Sequence, residues 1–272
     1  MIRDITIGQY LPGKSALHKM DPRVKIIVTF AFIIVIFMCK NFWSLGLMVL
    51  FTALCTILAG VPMRMMLKSL RPVMVILVFT GILNIFYTSG GNKLLEFWKI
   101  TVTDKGIYTA VFMIVRIVCL IAGSSLLTYT TTPTMLTDAI ERILSPLKVF
   151  KIQVHTLAMM MTLALRFIPT LIEEIERIMN AQKARGADLE SGGFIKRAKA
   201  LIPILIPLFI SAFRRAYELA FAMECRCYRG GEGRTRMKQM KVKATDIVAS
   251  AVTAALLGAV IFLNIYFKPV IG

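Results

Sequence analysis

Acidic residues are scarce in this chain of 272: 15 Asp and Glu stand against 33 Lys and Arg, a net charge of +18. Histidine is scarcer still, with only His18 and His155. A tetrahedral metal site needs about four ligands at workable spacing, so the close pair Cys225 and Cys227 has nothing to complete it, and no metal or cofactor is expected. Five cysteines, three of them inside apolar runs (Cys39, Cys55, Cys119), make no even extracellular framework and fit a reduced, cytosol-facing environment. The opening MIRDITIGQYLPGKS has no apolar core followed by a small-residue cleavage site, so the first membrane span is expected to act as the targeting signal.

What is abundant is apolar. Apolar residues make up 57% of the chain, more than the roughly half found in soluble domains, and they gather into runs of membrane-spanning length. Val24 to Cys39, Phe42 to Val61, Val73 to Thr88 and Ile107 to Thr128 predict four spans, and Thr245 to Phe267 a fifth with Asp246 at its start. The second ends in MRMMLKSLRP, whose Arg64, Lys68 and Arg71 share a helical face suited to an anionic inner leaflet. Between the third and fourth, GGNKLLEFWKITVTDKG reads as an external mixed-charge loop carrying Trp98. From residue 129 to 244 the apolar residues come instead in helical stripes broken by many charges, which predicts a helical domain at the membrane surface. The expected organisation is therefore an all-α polytopic protein: four spans within 1–128, a cytoplasmic domain of long helices over 129–244, and a fifth span in 245–272.

Basic residues orient it. Met1 to Lys25 holds five, Val61 to Pro72 three, and Tyr129 to Ala244 nineteen, together 27 of the 33. If all three segments lie inside, the positive-inside rule gives five spans with the N-terminus cytoplasmic. The same rule accounts for the charge through cytoplasmic loops and anionic headgroups, without nucleic acid. Arg116 falls mid-span; it either lines an interface with a membrane partner, or is satisfied by backbone carbonyls or by reaching water.

Within the basic domain, His155 to Ala184 predicts one long helix, with Leu171, Ile172, Ile175, Ile178 and Met179 on one face and Glu173, Glu174, Glu176 and Arg177 on the other. Gly186 suits a left-handed cap just past Arg185. A second helix is expected from about Phe194 to Tyr228, kinked near Pro203 and Pro207. Setting Arg185 against Arg226, forty-one residues apart, also aligns Ala181 with Ala222, Ala184 with Cys225 and Gly186 with Cys227. Each helix thus carries an arginine between small residues at the end of a rod of roughly 40 Å. An unshielded guanidinium of this kind can enter a groove and pair bidentately with a carboxylate.

Two motifs are set aside. GQYLPGKS at Gly8 to Ser15 satisfies the phosphate-loop pattern, but no strand precedes it and Pro22 interrupts any helix after it. The 17 methionines suit surfaces that accept more than one shape, and core packing explains most of them equally well.

GQYLPGKSALHKMDPRVKI at Gly8 to Ile26, LRFIPTLIEEIERIMNAQKARGAD at Leu165 to Asp188 and AMECRCYRGG at Ala222 to Gly231 resemble the T component of energy-coupling factor transporters, a family that includes the transmembrane component of cobalt and nickel importers. With the span pattern, the resemblance covers nearly the whole chain. It implies a non-catalytic subunit of an ATP-driven importer in a prokaryotic plasma membrane, moving vitamins or metal ions. It also implies that Ala184, Arg185 and Gly186, and Cys225, Arg226 and Cys227, are the tips of coupling helices docked into two ATP-binding subunits, beside a small substrate-binding membrane protein. The second tip departs from the Ala-Arg-Gly form. Cys227 lacks glycine's tolerance of positive φ, so that helix is expected to run on toward Gly230 and Gly231.

Two other functions compete. A self-contained secondary transporter predicts paired acidic or discontinuous elements inside its spans, where this chain has almost no carboxylates. A membrane-bound enzyme acting on lipid or isoprenoid substrates predicts clustered Asp, His or Glu at the inner surface. Glu173, Glu174 and Glu176 are its one candidate, and with Arg177 beside them they read as a solvated helix face.

Overall fold

A computed structural model describes residues 10–87, 93–97, 100–151, 153–187, 193–230 and 242–267. Gly8, Gln9, Thr88, Trp98, Asp188 and Gly231 of the motifs above lie outside the described residues. In chain order the elements are α1 (Ala16–Lys19), α2 (Pro22–Met38), α3 (Phe42–Ala59), α4 (Met63–Leu70), α5 (Met74–Tyr87), β1 (Lys93–Phe97), β2 (Ile100–Thr103), α6 (Asp104–Thr130), α7 (Pro133–Ile143), α8 (Val154–Ala184), α9 (Phe194–Cys225) and α10 (Ala244–Tyr266). The described residues fall into two compact units: one built from residues 10–139 with 242–267, the other from residues 140–230.

Every expected span is a helix within two or three residues at each described end, and the polytopic all-α class holds. Among the described residues six helical stretches are long and apolar enough to cross a membrane, α8 and α9 among them; α2, at 17 residues, sits at the short end of what a bilayer needs. The second span stops at Ala59 rather than Val61 because Gly60 turns left-handed, φ +68°. The loop expected between the third and fourth spans contains an antiparallel ribbon instead, pairing Leu95 with Val102, Glu96 with Thr101 and Phe97 with Ile100. The β-branched run of Ile100, Thr101, Val102 and Thr103 favours that pleat over coil.

Helix ends govern the packing of the span unit. A helix leaves its last carbonyls unpaired, and hydrocarbon offers them no water. Here neighbouring helices supply the donors. Arg116 of α6 reaches the carbonyl of Cys39 at the end of α2, with its guanidinium carbon 4.7 Å from the Phe112 ring centre. A backbone carbonyl is thus one partner of Arg116, whose Nε is buried without one. Lys25 of α2 donates to the Thr130 carbonyl at the end of α6 (2.9 Å) and to the Thr131 hydroxyl (3.1 Å). Lys25, counted above among the basic residues of the N-terminal segment, is 5% exposed, folded inward to serve that end. Asn41 donates to the carbonyls of Leu263 and Phe267, while Asn264 donates to that of Met38. Between these ties Val35, Ile36, Met48, Phe112 and Val260 are fully buried.

The carboxylate of Asp246 ties the other end of α10, accepting from the backbone N–H of Asp21 (2.9 Å) and of Lys243 (2.7 Å). Asp21 caps α2, with Pro22 at the first helical position where its missing N–H costs nothing. Just before it, the Ser15 hydroxyl pairs with His18 Nδ1 (2.7 Å), and His18 Nε2 pairs with the Leu11 carbonyl (2.9 Å). The ring lies so close that a Cβ on Gly13 would stand 2.6 Å from it. The glycine-lysine turn is filled by its own histidine, which leaves no cradle for a phosphate.

Candidate functional site: two matched helix tips

The second unit is organised around α8 and α9. Three contacts define their direction: Gln182 with the Pro203 carbonyl (3.3 Å), Glu174 with Arg215 (3.0 Å), and the Tyr228 hydroxyl with Met159 Sδ (2.8 Å). Partner numbers fall on α9 as they rise on α8, so the two helices run antiparallel. Each contact has a local cause. Pro207 carries no N–H, so the Pro203 carbonyl lacks its normal helical partner and accepts from Gln182 instead. Glu174, placed by sequence on a solvated face, is half-buried against Arg215.

Glu174 and Arg215 are forty-one residues apart, the same offset that relates Arg185 to Arg226. The weak repeat is therefore expressed as a pseudo-twofold pair whose equivalent residues meet at the crossing point. From that point each arginine lies eleven residues further along its own helix, about 16 Å at 1.5 Å per residue. The two tips consequently sit at opposite ends of the pair.

Both tips have the same backbone. At the first, the Gly186 N–H donates to the Lys183 carbonyl (3.0 Å) and the Ala187 N–H to that of Gln182 (3.0 Å). At the second, Cys227 donates to Glu224 (2.8 Å) and Tyr228 to Met223 (3.0 Å). Each is the doubly bonded Schellman end, with arginine as the last half-helical residue and the next residue left-handed. Arg185 has φ −85° and ψ 6°; Arg226 has φ −93° and ψ 14°. Ala184, Arg185, Gly186, Cys225, Arg226 and Cys227 are all exposed.

The expected run of the second helix toward Gly230 does not occur: α9 ends at Cys225, and Cys227 itself takes φ +53°. Two backbone bonds and an anchored Tyr228 outweigh the steric penalty of a Cβ there. That penalty is about 1–2 kcal/mol, so Cys227→Gly should stabilise the last turn of α9 by up to ~1 kcal/mol, whereas Gly186→Ala (native φ +84°) should loosen α8 by a similar amount. Amide hydrogen exchange at residues 223–228 and 182–187 reads both, with protection rising in the first variant and falling in the second.

Tyr228 was missed by sequence reasoning. Its hydroxyl also lies 3.5 Å from His155 Nε2, and His155 Nδ1 is 3.0 Å from Glu141, so the residue two beyond Arg226 is tied to the start of α8. The available signal was its place directly after the left-handed residue, where a side chain commonly packs back onto its helix.

Apolar surface runs along α9 from Ile202 to Phe221. Ile202, Leu205, Phe209, Phe213, Tyr217 and Phe221 recur three or four apart and are each at least half exposed. Among the described residues no three of His, Cys, Asp or Glu converge as metal ligands would.

Comparison with known proteins agrees on one lineage. The family described as cobalt transport protein, CbiQ, matches residues 13–237. The energy-coupling factor transporter transmembrane protein EcfT of Ruminiclostridium cellulolyticum is 53% identical over 267 residues, 98% of this chain and all of that relative. The protein of the same description from Clostridium kluyveri is 53% identical over 251 residues, 92% of this chain and 93% of its own. That from Bacillus subtilis is 45% identical over 260 residues, 94% of this chain and 98% of its own.

Proposed function

The chain belongs to the CbiQ family, with the transmembrane components of energy-coupling factor transporters as its relatives, and from that premise we propose that it is the mechanical coupler between two ATP-hydrolysing subunits and a substrate-binding membrane protein. The observation that carries the proposal is the pair of matched tips. An arginine whose backbone is set just past the last helical turn by a doubly bonded cap, with small neighbours, presents an exposed fork suited to a carboxylate in a partner's groove. Two equivalent forks at opposite ends of one rigid pair suit two equivalent or paired ATPase subunits, one to each tip.

The antiparallel arrangement also supports a placement. Were α8 and α9 to cross the bilayer, Arg185 and Arg226 would emerge on opposite sides, and the Glu174–Arg215 pair would lie at mid-depth. Lying along the inner surface instead, the pair presents both tips to the cytosol. This agrees with a cytoplasmic N-terminus and with basic residues kept inside. Closure of the ATPases on ATP would then move the tips, and the packed helices would carry the motion to whatever rests on the exposed face of α9. The chain itself performs no catalysis. The transported solute belongs to the vitamin or metal-ion class through its substrate binder.

Solubilised from its native membrane, the chain should retain two ATPase subunits and one small hydrophobic membrane protein. Phe213→Asp places a charge in the middle of the α9 stripe, where an apolar partner would have to desolvate it. That variant should lose the small membrane protein while keeping both ATPases. Loss of the ATPases with the membrane protein retained would reverse the assignment of the two surfaces.

A further inference from the structure

The span unit contains an apolar cleft that helix coupling does not use. At one end α3 and α10 are held together by the Asn41 amide bonds to Leu263 and Phe267 and by Trp43, whose ring lies 5.8 Å from that of Phe267. At the other end the two helices part. Leu54 and Leu58 of α3 then face Val248 and Val252 of α10 across a cavity of about 490 Å³. Its floor is Phe32, lying over Gly123 so closely that a Cβ there would meet the ring at 2.1 Å. The volume lies within the 300–1,000 Å³ of small-molecule sites. The walls are almost wholly apolar, so water has few partners inside, and an empty cleft would forfeit contacts on every wall.

What can enter follows from where the cleft opens. The four residues facing across it are each between 43% and 61% exposed, so the opening lies on the outer surface of a unit built of membrane-length helices. The medium at that opening is hydrocarbon. A partner helix about 10 Å across would need some twenty residues of parallel groove, and α3 and α10 close together before that length is reached. A single acyl chain, much thinner than a helix, needs no groove of that width.

One end of the cleft is basic. Ala16 and Leu17 of α1 line it, flanked in the chain by the exposed Lys14 and Lys19, and the exposed Lys243 immediately precedes α10. Of the carboxylates nearby, Asp21 is paired with Arg23 (2.9 Å) and Asp246 is offset by the buried ammonium of Lys25, so each already has a cation of its own. We propose that the cleft between α3 and α10 is a binding site for one acyl chain of an anionic phospholipid, its phosphate held at the end bordered by Lys14, Lys19 and Lys243. The site rests on membrane insertion alone, so it stands or falls separately from the docking of ATPases.

The full chain, reconstituted into phosphatidylglycerol vesicles doped with a phosphatidylglycerol whose acyl chain carries a diazirine, should label Leu54 to Leu58 and Val248 to Val252 above the general labelling of exposed Val75 and Val78 on α5. Ala249→Trp fills the cleft and should lower its labelling by about fivefold while leaving α5 unchanged. Val252→Trp, at the exposed rim, gives the same reading should the first variant not fold. A diazirine phosphatidylcholine in phosphatidylcholine vesicles should label the cleft about tenfold less, from the attraction of a few lysines to an anionic surface. Cleft labelling no higher than on α5, or unchanged in the filled variants, overturns the site. So does cross-linking of the cleft to a partner protein in the intact complex. Equal labelling by the two lipids overturns the anionic selectivity.

Discussion

A chain carrying both Arg185→Glu and Arg226→Glu is expected to insert into the membrane normally and to recover no ATPase subunit on purification. Reversing the sign of a fork turns a charge-assisted pair into a repulsion, and changes of this kind at a desolvated interface cost about 2–5 kcal/mol, some 30-fold to several thousand-fold in affinity. The single variants carry more information. Because the tips stand at opposite ends of the α8–α9 pair, each about 16 Å from the Glu174–Arg215 crossing, they cannot share a groove. Each single variant should therefore release one ATPase subunit and weaken the other only through lost avidity. Arg185→Lys or Arg226→Lys keeps the charge but not the planar fork, and should fall between wild type and the reversal. Quantitative co-purification, paired with a membrane-fraction blot for insertion, reads the series. Undiminished assembly and uptake in the double reversal would end the docking proposal.

The sequence showed the spans because hydrocarbon demands long apolar runs, and it showed the tips because two arginines flanked by small residues recur at a fixed offset. It could not show which way the tips face. That depends on contacts between α8 and α9, and the Glu174–Arg215 pair becomes visible as a crossing point only once the helices are seen antiparallel. The cap at Cys227 was misjudged for a related reason. Intrinsic φ preference is a local quantity, whereas the left-handed turn there is held by bonds to Glu224 and Met223 and by an anchored Tyr228. By sequence Lys25 counted only as one of the basic residues of the N-terminal segment. Its inward fold serves a carbonyl 105 positions away, which no window along the chain contains.

Asp246→Ala is expected to be the most destabilising single change in the span unit. Its carboxylate is 1% exposed and accepts two backbone N–H groups, one from the cap of α2 and one from the start of α10. Hydrogen bonds to a charged acceptor contribute about 1.5–3 kcal/mol each, and alanine leaves both donors buried without a partner. The same carboxylate draws on the ammonium of Lys25, itself buried at the end of α6, so the substitution also removes a counter-charge from an ion that cannot reach water. The combined loss is about 4 kcal/mol, a large share of the 5–15 kcal/mol that typically separates folded from unfolded chains. In detergent this should appear as a fall of about 10 °C in the thermal midpoint. Asp246→Asn supplies one acceptor but turns an amide donor against the second N–H, so it should recover less than half of that fall. Wild-type stability in the alanine variant would mean that α2 and α10 are held together by apolar packing, with the buried carboxylate incidental to it.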